Sequence, residues 1–195
     1  AYIHADLIFG LPADTLDNFA RNFDQLVALR PHEIQLGILK RLRGVPLNRH
    51  NAEYQLRYNP EPPYNILRSR DIDFQTMQRV NRFARYWDMV ANSGRFTNTL
   101  PLILKDKPFE NFMRLSDSLY QKVGSTWKIS LQRLFVLIYE DLQGEDDIDN
   151  AELLQVMGAD YSRTGEKAAL VSLLNKKNKV TRIGVANKRQ QKMLQ

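Results

Sequence analysis

The sequence predicts an α/β segment followed by a mainly α-helical bundle. Apolar residues recur with period two over residues 2–9 and again over 33–39, and this alternation is typical of strands. Between these runs, and again after residue 73, apolar residues recur with the period of an α-helix. A Pro-rich connector separates the two regions, so we expect three segments, at residues 1–47, 48–72 and 73–195.

The first strand has two different faces, and the helix after it has a clear start. Alternate residues form one apolar face, whereas the opposite face is mixed and carries His4, Asp6 and Ile8. Asp14 or Thr15 is placed to cap a helix that the next proline ends. Strand, helix and strand joined by short loops form a βαβ unit, which predicts a parallel pair with a right-handed crossover.

A two-stranded sheet is not stable by itself, so we expect the remaining strands to come from elsewhere. The chain also begins without an initiator Met, directly inside the first alternating run. Both observations predict that the chain is a fragment of a longer protein.

The region after residue 73 shows several helical periods. Asp71 or Asp73 is placed to cap the first helix, which is expected to end near Gly94. Pro101 and Pro108 then mark two short helices. The later apolar periods predict a central helix over 129–142, one or two helices over 150–174, and a short extended piece over 180–185. We therefore expect a bundle of five to seven helices.

Composition excludes several classes of site. The 195 residues include no cysteine, so disulfides, thiolate nucleophiles, Cys-ligated zinc and Cys-ligated iron-sulfur clusters cannot form within this chain. No apolar run approaches the length of a membrane span, and the N-terminus lacks the order of a signal peptide. These features predict a cytoplasmic chain without membrane contact.

The net charge of +6 lies entirely in the last 45 residues. Residues 1–150 hold 19 basic and 19 acidic side chains, whereas 151–195 hold 9 and 3. Such a tail attracts phosphate, either in nucleic acid or in an anionic ligand. No RNA-binding signature or base-stacking aromatic accompanies the charge, which disfavours nucleic acid. The favoured interpretation is a solvated terminus that docks on the acidic side chains Glu145, Asp146, Asp147 and Asp149.

Two motifs in the first 47 residues carry a family resemblance. Residues 6–12 read D-L-I-F-G-L-P before the first helix, and residues 43–47 read R-G-V-P-L after the second strand. This pattern resembles the late strands of the radical S-adenosylmethionine (radical SAM) barrel, where a strand ending D-L-I-x-G-L-P meets a helix and the next strand leads to a G-T-P-L-like turn. Here Val45 stands in place of the Thr, and A-D-T over 13–15 in place of G-E-T.

The later part of the chain carries a second resemblance. Residues 57–64 read R-Y-N-P-E-P-P-Y, and N-S-G-R-F over 92–96 falls at a helix end. These stretches resemble the helical domain of unknown function that follows the barrel in B12-binding radical SAM proteins. Some of those proteins are labelled by similarity to the oxidative cyclase of magnesium-protoporphyrin monomethyl ester.

The resemblance implies that the chain is the C-terminal part of such an enzyme, with the βαβ unit at the end of a partial TIM-like barrel. Its implied cofactors are S-adenosylmethionine, a [4Fe-4S] cluster and cobalamin. The ligands of the cluster and of cobalamin are expected in the missing N-terminal domains of the same polypeptide. This chain alone is therefore expected to have no turnover, and no catalytic or metal-binding residue is predicted in it.

A ligand of an α/β barrel binds at the carboxyl ends of the strands, here residues 8–11 and 38–41. Asp6, on the mixed face, is expected to accept hydrogen bonds from an ammonium or a hydroxyl group, or alternatively to bond its neighbouring strand. The resemblance implies that Ile8 and Gly10 lie near the adenine of S-adenosylmethionine, and that main-chain groups of Leu39 and Lys40 contact its edge. The alternative for Gly10 is an ordinary turn glycine.

Other features favour structural interpretations, and two further functions stay open. His4, His32 and His50 lack helical ligand spacing or a carboxylate partner in register, so they are not expected to bind metal. Trp87 has the spacing of a helical core residue. The chain is alternatively an interaction module whose helical part docks a protein or forms a homodimer. The second alternative is a nucleic-acid-binding protein that works through the basic tail.

Overall fold

The computed structural model describes residues 2–145, 148–166 and 169–175. In chain order the elements are β1 (His4–Phe9), α1 (Leu16–Ala28), β2 (Glu33–Ile38), a 3-10 helix (Pro46–His50), β3 (Arg57–Tyr58), β4 (Ile66–Arg68), α2 (Phe74–Trp87), a π-helical turn (Asp88–Asn92), α3 (Leu100–Leu104), α4 (Pro108–Val123), α5 (Leu131–Leu142) and α6 (Asn150–Ser162). An α/β start followed by helices is therefore confirmed.

The chain divides into two compact units. The first comprises the described part of Ala1–Gly94 with Ile103–Trp127, and the second comprises Arg95–Leu102 with the described part of Lys128–Gln195. The three segments expected from the sequence stay a prediction. The extended piece expected over 180–185 and the basic tail after residue 175 lie outside the described residues.

The β1–α1–β2 unit forms as its periodicity indicates. β1 and β2 pair in parallel, with Ala5 opposite Ile34 and Leu7 opposite Leu36. Thr15 caps α1, because its Oγ1 accepts the N–H of Asn18 at 3.2 Å. The predicted parallel pair is thus confirmed.

The second capping prediction is confirmed at one of its two candidates. Asp73 accepts the N–H of Thr76 at 2.7 Å and caps α2, whereas Asp71 pairs with Arg70. After α2 the backbone continues through the π-helical turn to Gly94, whose φ of 66° ends the helix.

The expectation of two short helices around Pro101 and Pro108 is wrong for the second. α4 has 16 residues, with Pro108 in its first turn and Gly124 in the left-handed conformation at its end. Lys107, the residue before it, cannot cap a helix. The Oδ1 of Asp24, from α1, accepts the N–H of Phe109 at 2.7 Å and performs that role.

The core of the first unit is aromatic. Trp87, 3% exposed, meets neighbouring rings at centroid distances of 4.8–6.5 Å, so its predicted place in the core is confirmed. The rings that build this cluster come from β1, α1, α2 and α4: Phe9, Phe19, Phe23, Phe83, Trp87, Phe109 and Phe112. They hold the helices against the inner face of the sheet.

The second unit contains a buried carboxylate. Asp160 is fully buried, and its Oδ2 accepts the N–H and the hydroxyl of Thr99 at 2.8 and 2.7 Å. The N–H of Asn98 and the guanidinium of Arg163 complete its partners. Because every bond to it is charge-assisted, this carboxylate is compensated and holds the segment before α3 on α6.

Between β2 and α2 the chain forms short pieces. β3 and β4 pair antiparallel, and residues 39–41 continue the pairing, since Leu39 accepts the N–H of Ile66 at 2.8 Å. None of the helices in the described part of the chain has the length and apolar character that crossing a membrane requires.

Candidate functional site

The two faces of the β1–β2 sheet differ in exposure. The inner face carries Phe9, Ile34 and Leu36, which are buried. The opposite side, which we call the outer face, carries His4, Asp6 and Ile8 of β1 with Glu33 and Gln35 of β2. Asp6 is 66% exposed and Ile8 is 46% exposed. The mixed face predicted from the sequence is therefore open to solvent over the described residues.

His4 is held between two carboxylates on the outer face. Its Nε2 lies 3.2 Å from Oδ1 of Asp6, and its Nδ1 lies 3.2 Å from Oε2 of Glu33. The expectation that this histidine lacks a carboxylate partner in register is wrong, because Glu33 is its partner across the strands. The hydrogen bonds to Asp6 and then to Glu33 raise the pKa of His4 above its ordinary value, since both ring nitrogens face acceptors.

Asp6 and Ile8 extend this open surface toward the carboxyl end of β1. The Asp6 carboxylate bonds His4 on its own strand rather than a side chain of β2, and its other oxygen has no partner among the described residues. Ile8 lies opposite Gly37, which leaves space beside its side chain. Both side chains are accessible to a ligand, and their role in binding one stays a prediction.

Gly10 lies in a closely packed turn after β1. It is buried, its φ is 95°, and a Cβ there would stand 2.8 Å from Cγ2 of Ile66 and 3.2 Å from Cε of Met77. Its N–H donates to Oδ2 of Asp14 at 3.0 Å. Any side chain would both strain the backbone and overlap Ile66, so this position requires glycine for the turn. Burial raises the pKa of Asp14, and the hydrogen bonds from Gly10 and Thr15 oppose that change.

Leu39 and Lys40, at the carboxyl end of β2, also differ in their exposure to solvent. Leu39 is buried, its N–H donates to the carbonyl of Phe9 at 2.9 Å, and its carbonyl accepts from Ile66. Lys40 is exposed and forms an isolated antiparallel β-bridge with Asn65. Its own N–H and carbonyl point away from the segment that contains Asn65. Of the five predicted ligand contacts, the structure exposes Asp6, Ile8 and Lys40 and buries Gly10 and Leu39.

The edge of β2 is closed by side chains from the helical part. Nε1 of Trp87 donates to the carbonyl of Ile34 at 2.9 Å. The amide of Asn92 donates to the same carbonyl at 3.0 Å and accepts the N–H of Ile34 at 3.3 Å, as a neighbouring strand would. The sheet therefore ends at β2 on this side.

The opposite edge, on β1, is open. Main-chain groups of Ile3 and Phe9 bond toward β2, because their carbonyls accept from His32 and Leu39. The alternate residue Asp6 therefore directs its N–H and carbonyl away from β2, toward a side where no described residue receives them. An unpaired edge of this kind is a template for another strand.

A second concave surface follows the carboxyl end of β2. This cleft has a volume of about 1000 Å³ and is lined by residues of 41–44, 48–60 and Tyr64. We call it the arginine cleft, after Arg41, Arg43 and Arg57. Sequence reasoning missed it as a site, although the excess of basic residues between 40 and 57 was a detectable signal.

Comparison of the chain with curated proteins and with solved structures gives no match. A family model described as a protein of unknown function, DUF4080, matches residues 52–195. The matched range begins before β3 and includes Trp87 and Asn92, which close the edge of β2. Because this range covers most of the sequence, the chain belongs to the DUF4080 family of proteins of unknown function.

Proposed function

We propose that the chain is the C-terminal part of a cobalamin-dependent radical SAM enzyme. In this proposal β1–α1–β2 is the last part of a partial barrel, and the DUF4080 region is an accessory helical domain. The observation that carries the proposal is the asymmetry of the sheet. Its β2 edge is closed by Trp87 and Asn92, whereas no described residue covers its β1 edge or its outer face.

The asymmetry of the β1–β2 sheet has a physical explanation. Parallel strands occur in sheets that are covered on both faces, and two strands alone are not stable. Among the described residues, helices cover the inner face alone, where α1 and α2 contact the sheet. Further strands beyond β1 would complete a barrel and turn the outer face toward its interior, where α/β barrels bind their ligands near the carboxyl ends of the strands.

The turn after β1 supports the family resemblance. In the D-L-I-F-G-L-P stretch, Gly10 is sterically required, and Asp14 secures the turn through the N–H groups of Gly10 and Thr15. In this chain, Gly10 and Asp14 therefore act together at the strand end.

The residues present fit part of the implied cofactor set. The exposed Asp6 carboxylate is suited to the ammonium or a hydroxyl of S-adenosylmethionine. No cysteine occurs in the sequence, and no group of His, Asp and Glu in the described residues is arranged to hold a metal ion, so the cluster ligands are assigned to other parts of the polypeptide. In the family, the reduced cluster supplies the electron that cleaves S-adenosylmethionine to a 5'-deoxyadenosyl radical.

The test uses the product of the whole reading frame, purified and reconstituted without oxygen, beside this 195-residue chain. Iron content and 5'-deoxyadenosine formation are measured for both. We expect iron and product from the first and neither from the second. Asp6→Asn is expected to weaken S-adenosylmethionine binding, whereas Asp17→Asn, on the exposed first turn of α1, is the matched control. An iron-free, inert product of the whole reading frame contradicts the proposal.

A second candidate function is association, either with a protein partner or as a homodimer. It is favoured by large exposed apolar side chains just before β1, since Tyr2 is 70% and Ile3 is 56% exposed. Sedimentation of the chain at increasing concentration tests this function, with Ile3→Ser as the variant that would abolish self-association. Nucleic-acid binding through the basic tail stays a prediction of the sequence, and loss of duplex binding with added salt is its test.

A further inference from the structure

The arginine cleft is a cationic and polar cavity. Arg41, Arg43 and Arg57 line it, and no Asp or Glu is among the described residues that line it. The remaining polar lining is neutral and comes from Asn48, Asn51, Gln55, Tyr58, Asn59 and Tyr64. The charge in this cavity is therefore of one sign, with hydrogen-bond donors beside it.

The three arginines of the cleft form no ion pair within the described residues. Some other guanidinium groups do lie against carboxylates, as in Arg70–Asp71, Arg79–Asp117 and Arg163–Asp160. Within the part of the chain that the structure describes, no carboxylate pairs with Arg41, Arg43 or Arg57. Three unpaired guanidinium groups in one cavity repel one another and leave their N–H groups available to an anion.

The backbone that carries these arginines is held in place. The N–H of Arg41 donates to the carbonyl of Tyr64 at 3.0 Å, which ties one wall to the other. The side chain of Asn48 donates to the carbonyl of Leu42 at 3.2 Å and secures the loop that bears the second arginine. Arg57 follows Leu56, which is only 4% exposed. The cleft is thus formed before any ligand binds.

Two further details fit an anionic ligand. Arg57 lies directly opposite Arg68 in the β3–β4 register, and like charges so placed destabilise a sheet unless an anion compensates them. Burial raises the pKa of Tyr58, against the opposing effect of Arg41, so its hydroxyl, which donates to Oδ1 of Asn51 at 3.5 Å, stays a protonated donor at the cleft wall.

We propose that the arginine cleft binds a small molecule through its carboxylate or phosphate groups. Guanidinium groups match both oxyanions by paired hydrogen bonds, and the concave shape at the carboxyl end of β2 suits a small ligand rather than an extended polymer. The site depends only on residues of 41–64 and would exist whether or not the chain belongs to a radical SAM enzyme.

The test is calorimetric titration of the full chain with pyrophosphate and with citrate at low ionic strength, which separates the phosphate source from the carboxylate source. Arg41→Gln and Arg57→Gln are each expected to weaken binding about tenfold or more. Arg41→Lys keeps the charge but loses the paired N–H donors of the guanidinium, and is expected to weaken binding less than Arg41→Gln. Arg133→Gln, an exposed arginine on α5, removes the same charge outside the cleft and is expected to change nothing.

A chemical measurement on the unmutated chain guards against variants that fail to fold. Phenylglyoxal modifies accessible guanidinium groups, and the bound anion is expected to protect Arg41, Arg43 and Arg57 but not Arg133, as read by peptide mass. Saturable binding with this protection supports the proposal, and the tighter anion identifies the oxyanion class. The proposal is overturned if neither anion binds or protects, if Arg133→Gln weakens binding equally, or if only a single-stranded oligonucleotide protects the three sites.

Discussion

The two edges of the β1–β2 sheet differ in the hydrogen-bond partners of their main-chain groups. At β2, Trp87 and Asn92 bond the main chain of Ile34 and replace a neighbouring strand. At β1, Asp6 directs its main-chain groups to a side where the described residues provide no partner. The difference separates two roles within one small sheet. The closed edge and inner face stabilise the unit. The open edge is available to another strand, and the outer face is available to a ligand.

The largest expected effect is at the closed edge. Trp87→Ala removes a buried ring from the aromatic core together with the bond to Ile34, and is expected to lower the free energy of unfolding by about 3–5 kcal/mol. Phe74→Ala, on the same helix but 51% exposed, is the control and is expected to change it by less than about 0.5 kcal/mol. Urea denaturation measures both, and equal effects would show that the ring does not anchor the sheet.

A smaller effect is expected from the side-chain amide at the same edge. Asn92→Ala leaves the N–H of Ile34 without its acceptor and is expected to cost roughly 1–3 kcal/mol of unfolding free energy. A variant as stable as the original chain would mean that water replaces the amide without loss, and that this edge is not closed in solution.

The comparison can be sharpened with a variant that keeps an aromatic ring at position 87 but loses the hydrogen bond to Ile34. Trp87→Phe keeps a ring but loses Nε1–H, while Asn92 still donates to the carbonyl of Ile34. We expect a cost of about 1 kcal/mol, smaller than that of Asn92→Ala, because no buried group is left without a partner. The reverse order would show that packing of the indole dominates, and the same urea series measures it.

Local features of the fold were predictable, and long-range pairings were not. Thr15 and Asp73 cap their helices because capping depends on residues two or three positions away. Trp87 was recognised as a core residue from its spacing, yet its bond to Ile34 joins residues 53 positions apart. Which acceptor it meets depends on how α2 packs against the sheet, and no local pattern contains that information.

The candidate sites show the same limit on what the sequence predicts. Strand alternation placed Asp6 on the mixed face, but the pairing of His4 with Glu33 required the strand register, which the sequence alone left undefined. The arginine cleft brings together side chains on both sides of the 3-10 helix. Their charges were visible in the sequence, whereas their convergence depends on the turn between β2 and β3.

The smallest effect on stability is expected at the outer face. Asp6→Asn is expected to change the free energy of unfolding by less than about 0.5 kcal/mol, because the side chain is exposed. It is expected to lower the pKa of His4, since the bond to Asp6 is the largest cause of its increase. NMR titration of the imidazole measures the shift, with Asp17→Asn as the control.

The sign of the pH dependence follows from that pKa. Because folding raises the pKa of His4, its ion pairs contribute stability that is fully present below the ordinary value of 6.5 and is lost as the pH rises through the folded pKa. An unchanged imidazole titration in Asp6→Asn would show that Glu33 alone holds the ring.

The most direct test of the open edge is amide hydrogen exchange at β1, compared between this chain and the product of the whole reading frame. Leu7, whose main-chain groups face β2, is the internal control and is expected to be protected in both. We predict that the amides of Asp6 and Ile8 exchange rapidly in this chain and become protected in the longer product, because another strand pairs with them. Rapid exchange of both amides in the longer product would contradict the account.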